Sequence, residues 1–143
     1  MKLTSFTDHS LRVLIYLAAE PDRRATIGEI ARAFDIKENH LTKVVHFLGQ
    51  QGWVATTRGK GGGLQLARAP ALIGVGAVIR QAEGADRPAV CFEGNDNRCH
   101  IVRVCRLKGV LHEAVTAFHA VLDRYTLADL VHNPHALLAL LRA

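Results

Sequence analysis

The sequence predicts a mainly α-helical fold, in which a winged helix-turn-helix DNA-binding domain is followed by a long C-terminal dimerisation helix. Apolar residues over 27–48 have the spacing of a short helix packed across the start of a longer one. A glycine-rich hairpin pattern follows directly, as expected for a wing. After Cys105, an apolar stripe recurs at helical spacing with no obvious partner in so small a chain.

Length and composition suit one compact domain with an appendage: 143 residues, 49% of them hydrophobic. The formal net charge of +5 suits a polyanionic partner without identifying one. The chain shows no signal-peptide pattern, and no apolar run reaches the roughly 18 residues that span a bilayer. We therefore expect a cytoplasmic protein with no membrane association, whose three cysteines are kept reduced.

The first half of the chain predicts three helices. Residues 7–19 carry apolar side chains at helical spacing. Thr26 and Glu29 form a capping-box sequence that starts a second helix. Asp35 occupies the turn position where glycine is common, which is tolerable because Asp accepts a left-handed backbone more readily than most residues. The recognition helix is then predicted over 37–50.

Early exposed residues of this recognition helix are predicted to face base edges and phosphates of double-stranded DNA. Asn can pair with adenine through two hydrogen bonds, and Lys suits guanine or phosphate. The predicted DNA-contacting residues of the helix are Glu38, Asn39, His40, Thr42 and Lys43.

The predicted wing consists of strands at 53–57 and 64–66, joined by the glycine-rich turn 59–63. Its glycines allow close approach to a phosphate backbone, where Arg58 and Lys60 supply positive charge. The alternative is a three-helix domain whose polar face is merely solvated or docks another protein. The basic, glycine-rich wing favours the DNA-binding interpretation, because a three-helix domain of that other kind has no evident use for it.

The second half predicts a helix over 73–83, a polar loop over 84–98 and a helix of about five turns that starts at Leu107. The apolar stripe of that helix is expected to pack on its copy in a symmetric homodimer. The sequence thus divides into a DNA-binding domain over 1–83, a cysteine-bearing loop over 84–105, and a dimerisation helix with a short apolar tail over 106–143.

Three cysteines lie in and after the loop, at Cys91, Cys99 and Cys105. Their spacing is not that of a zinc finger, whereas three soft thiolates on a pliable loop suit an iron-sulfur cluster. A zinc site completed by His100 or His112 stays open, as does a set of three unrelated small hydrophobes. A thiol oxidoreductase is disfavoured, because neither a close cysteine pair nor a cysteine with a matched base is recognisable.

Several segments together resemble the nitric-oxide-sensing branch of the Rrf family of iron-sulfur winged-helix regulators. The resemblance extends over nearly the whole chain, and its motifs are specific in combination. The matching segments are Leu3 to Asp8, Asn39 to Lys43, Arg58 to Gly63, the three cysteines, Cys105 to Lys108, and Tyr125 to Val131.

The resemblance implies a homodimer with one cluster per subunit, most often 4Fe-4S, although 2Fe-2S is also compatible with this ligand set. Cys91, Cys99 and Cys105 would hold it, with Asp8 of the partner subunit as fourth ligand and Arg12 beside it. The residues alone give Asp8 a simpler role, since an acid in a first helical turn favours the helix dipole and can pair with Arg12.

The resemblance further implies a repressor that leaves an A·T-rich inverted-repeat operator when nitric oxide destroys the cluster, so that nitric-oxide detoxification genes are expressed. Iron-responsive and cluster-supply-sensing members of the family are the alternatives. The latter carry a histidine where this chain has Lys108. Cysteine spacing does not distinguish this chain from the iron-responsive members. The opening Ser5 to Asp8 and the segment Arg106 to Lys108 favour the nitric-oxide branch.

Overall fold

The computed structural model describes residues 2–84, 88–92 and 99–143. The helices are α1 (Ser5–Ala19), α2 (Ile27–Phe34), α3 (Glu38–Gln50), α4 (Val75–Glu83), α5 (Leu107–Leu122), α6 (Leu127–Leu130) and α7 (Pro134–Leu141). The strands β1 (Val54–Thr57) and β2 (Gly63–Leu66) pair antiparallel, and short 3₁₀ turns lie at Pro70–Leu72 and Val90–Phe92. The mainly helical fold with a two-stranded wing is confirmed.

Helix α1 is the central element of the core. It begins two residues before the predicted start, because the side chain of Thr4 caps it by accepting a hydrogen bond from the amide of Thr7. Leu14 and Leu17 on its inner face are almost fully buried. Buried residues of α2, α3 and the wing pack in the same core as this helix.

The helix-turn-helix forms as the sequence predicts. Both hydrogen bonds of the Thr26 and Glu29 capping box are present at the start of α2. Asp35 adopts the left-handed conformation, with φ 52° and ψ 49°. The amide of Ile36 then donates to the carbonyl of Ala31 at 2.9 Å, which closes the turn before α3.

The wing is anchored to the helical core along its inner face. Val54 and Leu66 are paired across the strands and both are buried. Leu64 exchanges two backbone hydrogen bonds with Ala25, of 2.9 and 2.7 Å, in the segment between α1 and α2. The wing is therefore held at its base, while its glycine-rich tip projects into solvent.

The fourth helix starts two residues later than predicted. Ile73 is extended and almost fully buried, and its carbonyl accepts a 2.8 Å hydrogen bond from Leu127. Gly76, on the first turn of α4, lies against the end of α5: a Cβ atom there would be 2.0 Å from Oδ1 of Asp123. Arg80 donates to the same carboxylate at 3.1 Å.

The C-terminal part returns to the core. Helix α5 ends at Leu122, before the predicted end near Tyr125, and Leu127 of α6 is buried in the same core as α1. The short apolar tail forms α7, and Arg142, the residue after this helix, is ion-paired with Glu20. The domain division and the dimerising role of α5 stay predictions.

The predicted irregular loop falls largely on residues 85–87 and 93–98, outside the described residues. Within the part of the chain that is described, no helix combines the length and the apolar character needed to cross a membrane.

Candidate functional site

Helix α3 presents one polar, exposed face and buries the other. The side chains of Leu41, Val44 and Leu48 are buried against the rest of the domain. The predicted DNA-contacting residues all lie on the exposed side: Glu38, Asn39, His40, Thr42 and Lys43. The burial pattern therefore leaves these side chains accessible to a ligand.

A groove of about 610 Å³ runs between α3 and the wing. Thr42, His46 and Gln50 line its helical side, and Thr56 and Arg58 line its wing side. None of the residues that line the groove is acidic; the remainder are Ile27, Val45 and Gly49. The groove is thus bordered by hydrogen-bond donors and one cation.

His46 and Gln50 were not among the residues predicted from sequence. They follow Thr42 by four and eight positions, which places the three on one side of the helix. Both are exposed. Extending the helical periodicity beyond Lys43 is the signal that finds them.

The tip of the wing carries the predicted cations Arg58 and Lys60, both exposed. A residue that sequence reasoning missed holds this tip in place. Arg24 donates hydrogen bonds to the side chain of Gln65 and to the carbonyl of Gly61, each at 3.1 Å. Its contacts span the wing, so no local sequence pattern indicates them.

Asp8 lies in the first turn of α1 and is paired within its own chain. Its Oδ2 is 2.8 Å from Nε of Arg12, and both side chains are close to half exposed. The Arg12 guanidinium lies 5.6 Å from the ring centre of Phe34, the last residue of α2. The sequence-predicted pair therefore forms and touches the helix-turn-helix, while the role of Asp8 as a ligand stays a prediction.

A second contact joins the start of α1 to the recognition helix. The imidazole rings of His9 and His40 are stacked, with centroids 6.4 Å apart and planes 20° apart. Phe6 meets Phe47 of α3 edge-on at 5.2 Å. The turn that carries Asp8 is therefore packed directly on α3.

The three cysteines are free thiols, and each is partly exposed. Cys91 lies in the 3₁₀ turn, Cys99 precedes a series of turns, and Cys105 ends that series just before α5. The ammonium of Lys108 in α5 lies 6.0 Å from the ring centre of Phe92, so the turn of Cys91 contacts the helix that follows Cys105.

The chain does not by itself assemble a metal site from the residues described. Over 2–84, 88–92 and 99–143, no three His, Cys, Asp or Glu side chains are grouped so that they could hold a metal ion. Most of the segment between Cys91 and Cys99 lies outside these ranges. A site that takes a ligand from a second subunit needs more than one chain to be complete.

Carboxylates with altered pKa values serve the fold. Hydrogen bonding to Arg23, and then to the backbone of Thr26, holds the pKa of Glu29 below its ordinary value. Burial acts to raise the pKa of Glu83, but hydrogen bonds from Thr7 and Thr4 outweigh it, and the net shift is downward. Glu83 thereby ties the end of α4 to the start of α1.

Comparison with known proteins identifies the family. The profile of Rrf2, described as an iron-dependent transcriptional regulator, matches residues 3–133. The chain belongs to the Rrf2 family. It is 50% identical over 143 residues to the HTH-type transcriptional regulator NsrR of Bacillus subtilis, covering 99% of this chain and 98% of that protein. The NsrR of Halalkalibacterium halodurans is 48% identical with the same coverage.

Solved structures of regulators share the Rrf2 fold seen here. The global cysteine regulator CymR of B. subtilis superposes with a TM-score of 0.70 at 28% identity, covering 92% of this chain and 97% of that one. IscR of T. potens gives 0.74 at 26% identity, covering 92% and 87%. This Rrf2 protein is a DNA-binding transcriptional regulator, and its relatives place it outside the enzymes.

Proposed function

We propose that this regulator is a repressor whose hold on DNA depends on an iron-sulfur cluster that reacts with nitric oxide. The observation that carries the proposal is that the segment leading into α5 contains three free, partly exposed thiols. The similarity of the chain to regulators named NsrR, and to a family described as iron-dependent transcriptional regulators, supports the same assignment. The nitric-oxide signal rests on the resemblance at residues 5–8 and 106–108.

Cys91, Cys99 and Cys105 would hold the cluster, because soft thiolates are the preferred ligands of iron-sulfur centres. The donors suit this role, since none is in a disulfide and none is fully buried. When bound, the cluster supplies iron that reacts with nitric oxide. Three thiolates leave one position for another ligand, which we assign to Asp8 of the partner subunit. A 4Fe-4S cluster is the expected type, and 2Fe-2S is compatible.

The contacts of Asp8 suggest how its state reaches the DNA-binding face. If the Asp8 carboxylate bound the cluster of the other subunit, it would give up its ion pair with Arg12. The guanidinium of Arg12 lies over the ring of Phe34. Phe34 immediately precedes the left-handed turn residue Asp35. His9, next to Asp8, stacks on His40 of α3. The orientation of α1 and the position of the recognition helix are therefore coupled through direct contacts.

Two recognition helices in a dimer would read an inverted-repeat operator that is rich in A·T. Side chains on α5 supply an apolar surface for such a dimer, because Leu107, Val110 and Val121 are all about half exposed. Half-sites about one helical turn apart require a fixed spacing between the two reading helices. A change at the start of α1 that alters this spacing lowers specific affinity, leaving mainly phosphate contacts.

The family description favours one further candidate, a regulator that responds to iron supply. In that case the regulator would dissociate from DNA when a chelator removes iron, and not when nitric oxide is added. A regulator that responds to the cellular supply of iron-sulfur clusters is the related alternative.

The proposal is tested on protein purified without oxygen. Wild-type protein should contain iron and acid-labile sulfide and absorb visible light, and each of Cys91→Ser, Cys99→Ser and Cys105→Ser should lose most of both. Nitric oxide should bleach the wild-type absorption, whereas a chelator acting faster than nitric oxide would favour the iron-responsive alternative. Colourless protein that contains zinc and no sulfide would exclude the proposal.

A further inference from the structure

The groove between α3 and the wing has the chemistry of a site for a nucleic-acid backbone. It is open, about 610 Å³ in volume, and bordered by Thr42, His46, Gln50, Thr56 and Arg58. Every one of these five side chains carries a hydrogen-bond donor, and no carboxylate lines the groove. A phosphate oxygen only accepts hydrogen bonds, so the lining complements a phosphodiester strand.

Three of the five donor side chains of the groove are not used by the fold. The hydroxyl of Thr42 is used, since it donates a hydrogen bond to the carbonyl of Glu38 at 3.0 Å. Within the described ranges, no hydrogen bond, ion pair or ring contact engages the side chains of His46, Gln50 or Arg58, and all three are exposed. Three donors that converge on one groove from two elements are thus left for an external acceptor.

The placement of the groove selects its occupant. On the helical side, His46 and Gln50 continue the exposed row that begins with the predicted DNA-contacting residues of α3. On the other side, Arg58 stands where β1 leads into the glycine-rich tip. When the start of α3 contacts the bases of a DNA strand, the sugar-phosphate backbone of that strand passes along the side of α3 that faces the wing.

We infer that this groove holds the sugar-phosphate backbone of one DNA strand, and that His46 and Gln50 donate hydrogen bonds to its phosphates. Arg58 closes the site from the wing. The inference rests on the proposed DNA-binding face and extends it to two residues beyond Lys43. Because a phosphate contact carries no sequence information, these side chains set affinity and register rather than base preference.

The test compares variants of the full-length protein, purified without oxygen, by fluorescence anisotropy on two unrelated mixed-sequence duplexes of equal length. His46→Ala and Gln50→Ala should each weaken binding to both duplexes by roughly three- to tenfold, the usual effect of one lost hydrogen bond. His46→Gln keeps an N–H donor and should retain most of the affinity. Arg58→Ala should also reduce the slope of binding against salt by about one.

Two controls separate the possible failures. His135→Ala, at an exposed position of α7, should bind like wild type. Lys43→Ala should weaken binding whether or not the groove is occupied. Loss with Lys43→Ala but not with His46→Ala and Gln50→Ala would overturn the inference and leave the DNA-binding face intact. Loss on only one duplex would overturn it as well, because the contact would then read bases. Unchanged binding in all these variants would refute α3 as the DNA-binding face.

Discussion

At the scale of single residues, the charged side chains divide into those that cap or pair within the fold and those that are left for a ligand. Glu29 belongs to the first group, since it completes the capping box of α2 and is ion-paired with Arg23. Asp8 is paired within the fold, and in the proposed function it would also bind the cluster, since its pair with Arg12 is nearly half exposed and can be exchanged. Substitutions at these two acids should therefore have different consequences.

Glu29→Gln should lower the free energy of unfolding at neutral pH by about 1 kcal/mol, because it removes the charge of a partly exposed pair but keeps a capping acceptor. The pKa of Glu29 is lowered in the folded protein, so its charge stabilises the fold above the unfolded-state pKa. That stability is lost as pH falls through the lowered folded-state pKa. Denaturant unfolding at several pH values should show the two proteins converging in acid; a constant difference would contradict this.

Asp8→Ala should change the absorption spectrum or the nitric-oxide lability of the cluster while altering unfolding stability little, since the Asp8–Arg12 pair is half exposed. Asp22→Ala removes an exposed acid from the turn after α1 and is the matched control. An unchanged spectrum and an unchanged response to nitric oxide would return Asp8 to a helix-capping and pairing role.

At the scale of elements, the turn of the wing requires a glycine at position 62. A Cβ atom on Gly62 would be 2.3 Å from the carbonyl oxygen of Thr57 and 2.9 Å from that of Gly59, and both are backbone atoms that cannot move aside alone. The turn places Arg58 and Lys60 at the tip. Any side chain at this position must open the hairpin.

Gly62→Ala should therefore weaken DNA binding by roughly tenfold or more, with a small loss of unfolding stability because the tip is solvent-exposed. Gly61→Ala is the contrast: Gly61 has φ +75°, but a Cβ atom there meets nothing within 4 Å. It should show only the backbone strain of about 1 kcal/mol. Equal DNA affinities for the two variants would mean that the hairpin geometry does not matter for binding.

Elements with local signals are the ones that the sequence predicts well. The capping box sets the start of α2, and Asp35 forms the predicted left-handed turn, because both depend on neighbouring residues. The start of α4 was missed by two residues, because extended Ile73 is fixed by a hydrogen bond from distant Leu127. Helix α7 could not be assigned for a similar reason, since Arg142 at its end is ion-paired with distant Glu20, the residue after α1.

The candidate site shows the same division. The exposed start of α3 follows from helical periodicity, whereas Arg24 reaches the wing tip through contacts that no spacing rule reveals. The cysteines are recognisable by type. In the proposed function, their arrangement as a cluster site would depend on how the chain folds near the start of α5 and on a second subunit. Residue spacing alone does not specify either of these.

At the scale of the whole molecule, the exposed apolar residues of α5 form the surface on which the proposed dimer would pack. Leu107, Val110 and Val121 are 55%, 58% and 46% exposed, which is unusual for three aliphatic residues on one helix. Two such helices in a symmetric pair would bury both stripes. In the proposed function, the dimer would also bring Asp8 of the partner subunit to the cysteines.

Val110→Lys should thus convert the protein to a monomer in analytical ultracentrifugation while leaving its helical circular dichroism intact, because Val110 makes little contact within its own chain. Thr116→Lys adds the same charge to an exposed position on the other side of α5 and should remain dimeric. A dimeric Val110→Lys protein would place the subunit interface elsewhere.

The central claim is that the cofactor held by the cysteines decides whether the two recognition helices bind an operator together. Its most direct test follows absorbance and DNA affinity in the same anaerobic sample during titration with nitric oxide, on a duplex selected from random sequences by the untreated protein. We predict that specific affinity falls in proportion to the bleaching and approaches that for unrelated DNA. Full operator affinity after complete bleaching would contradict the account.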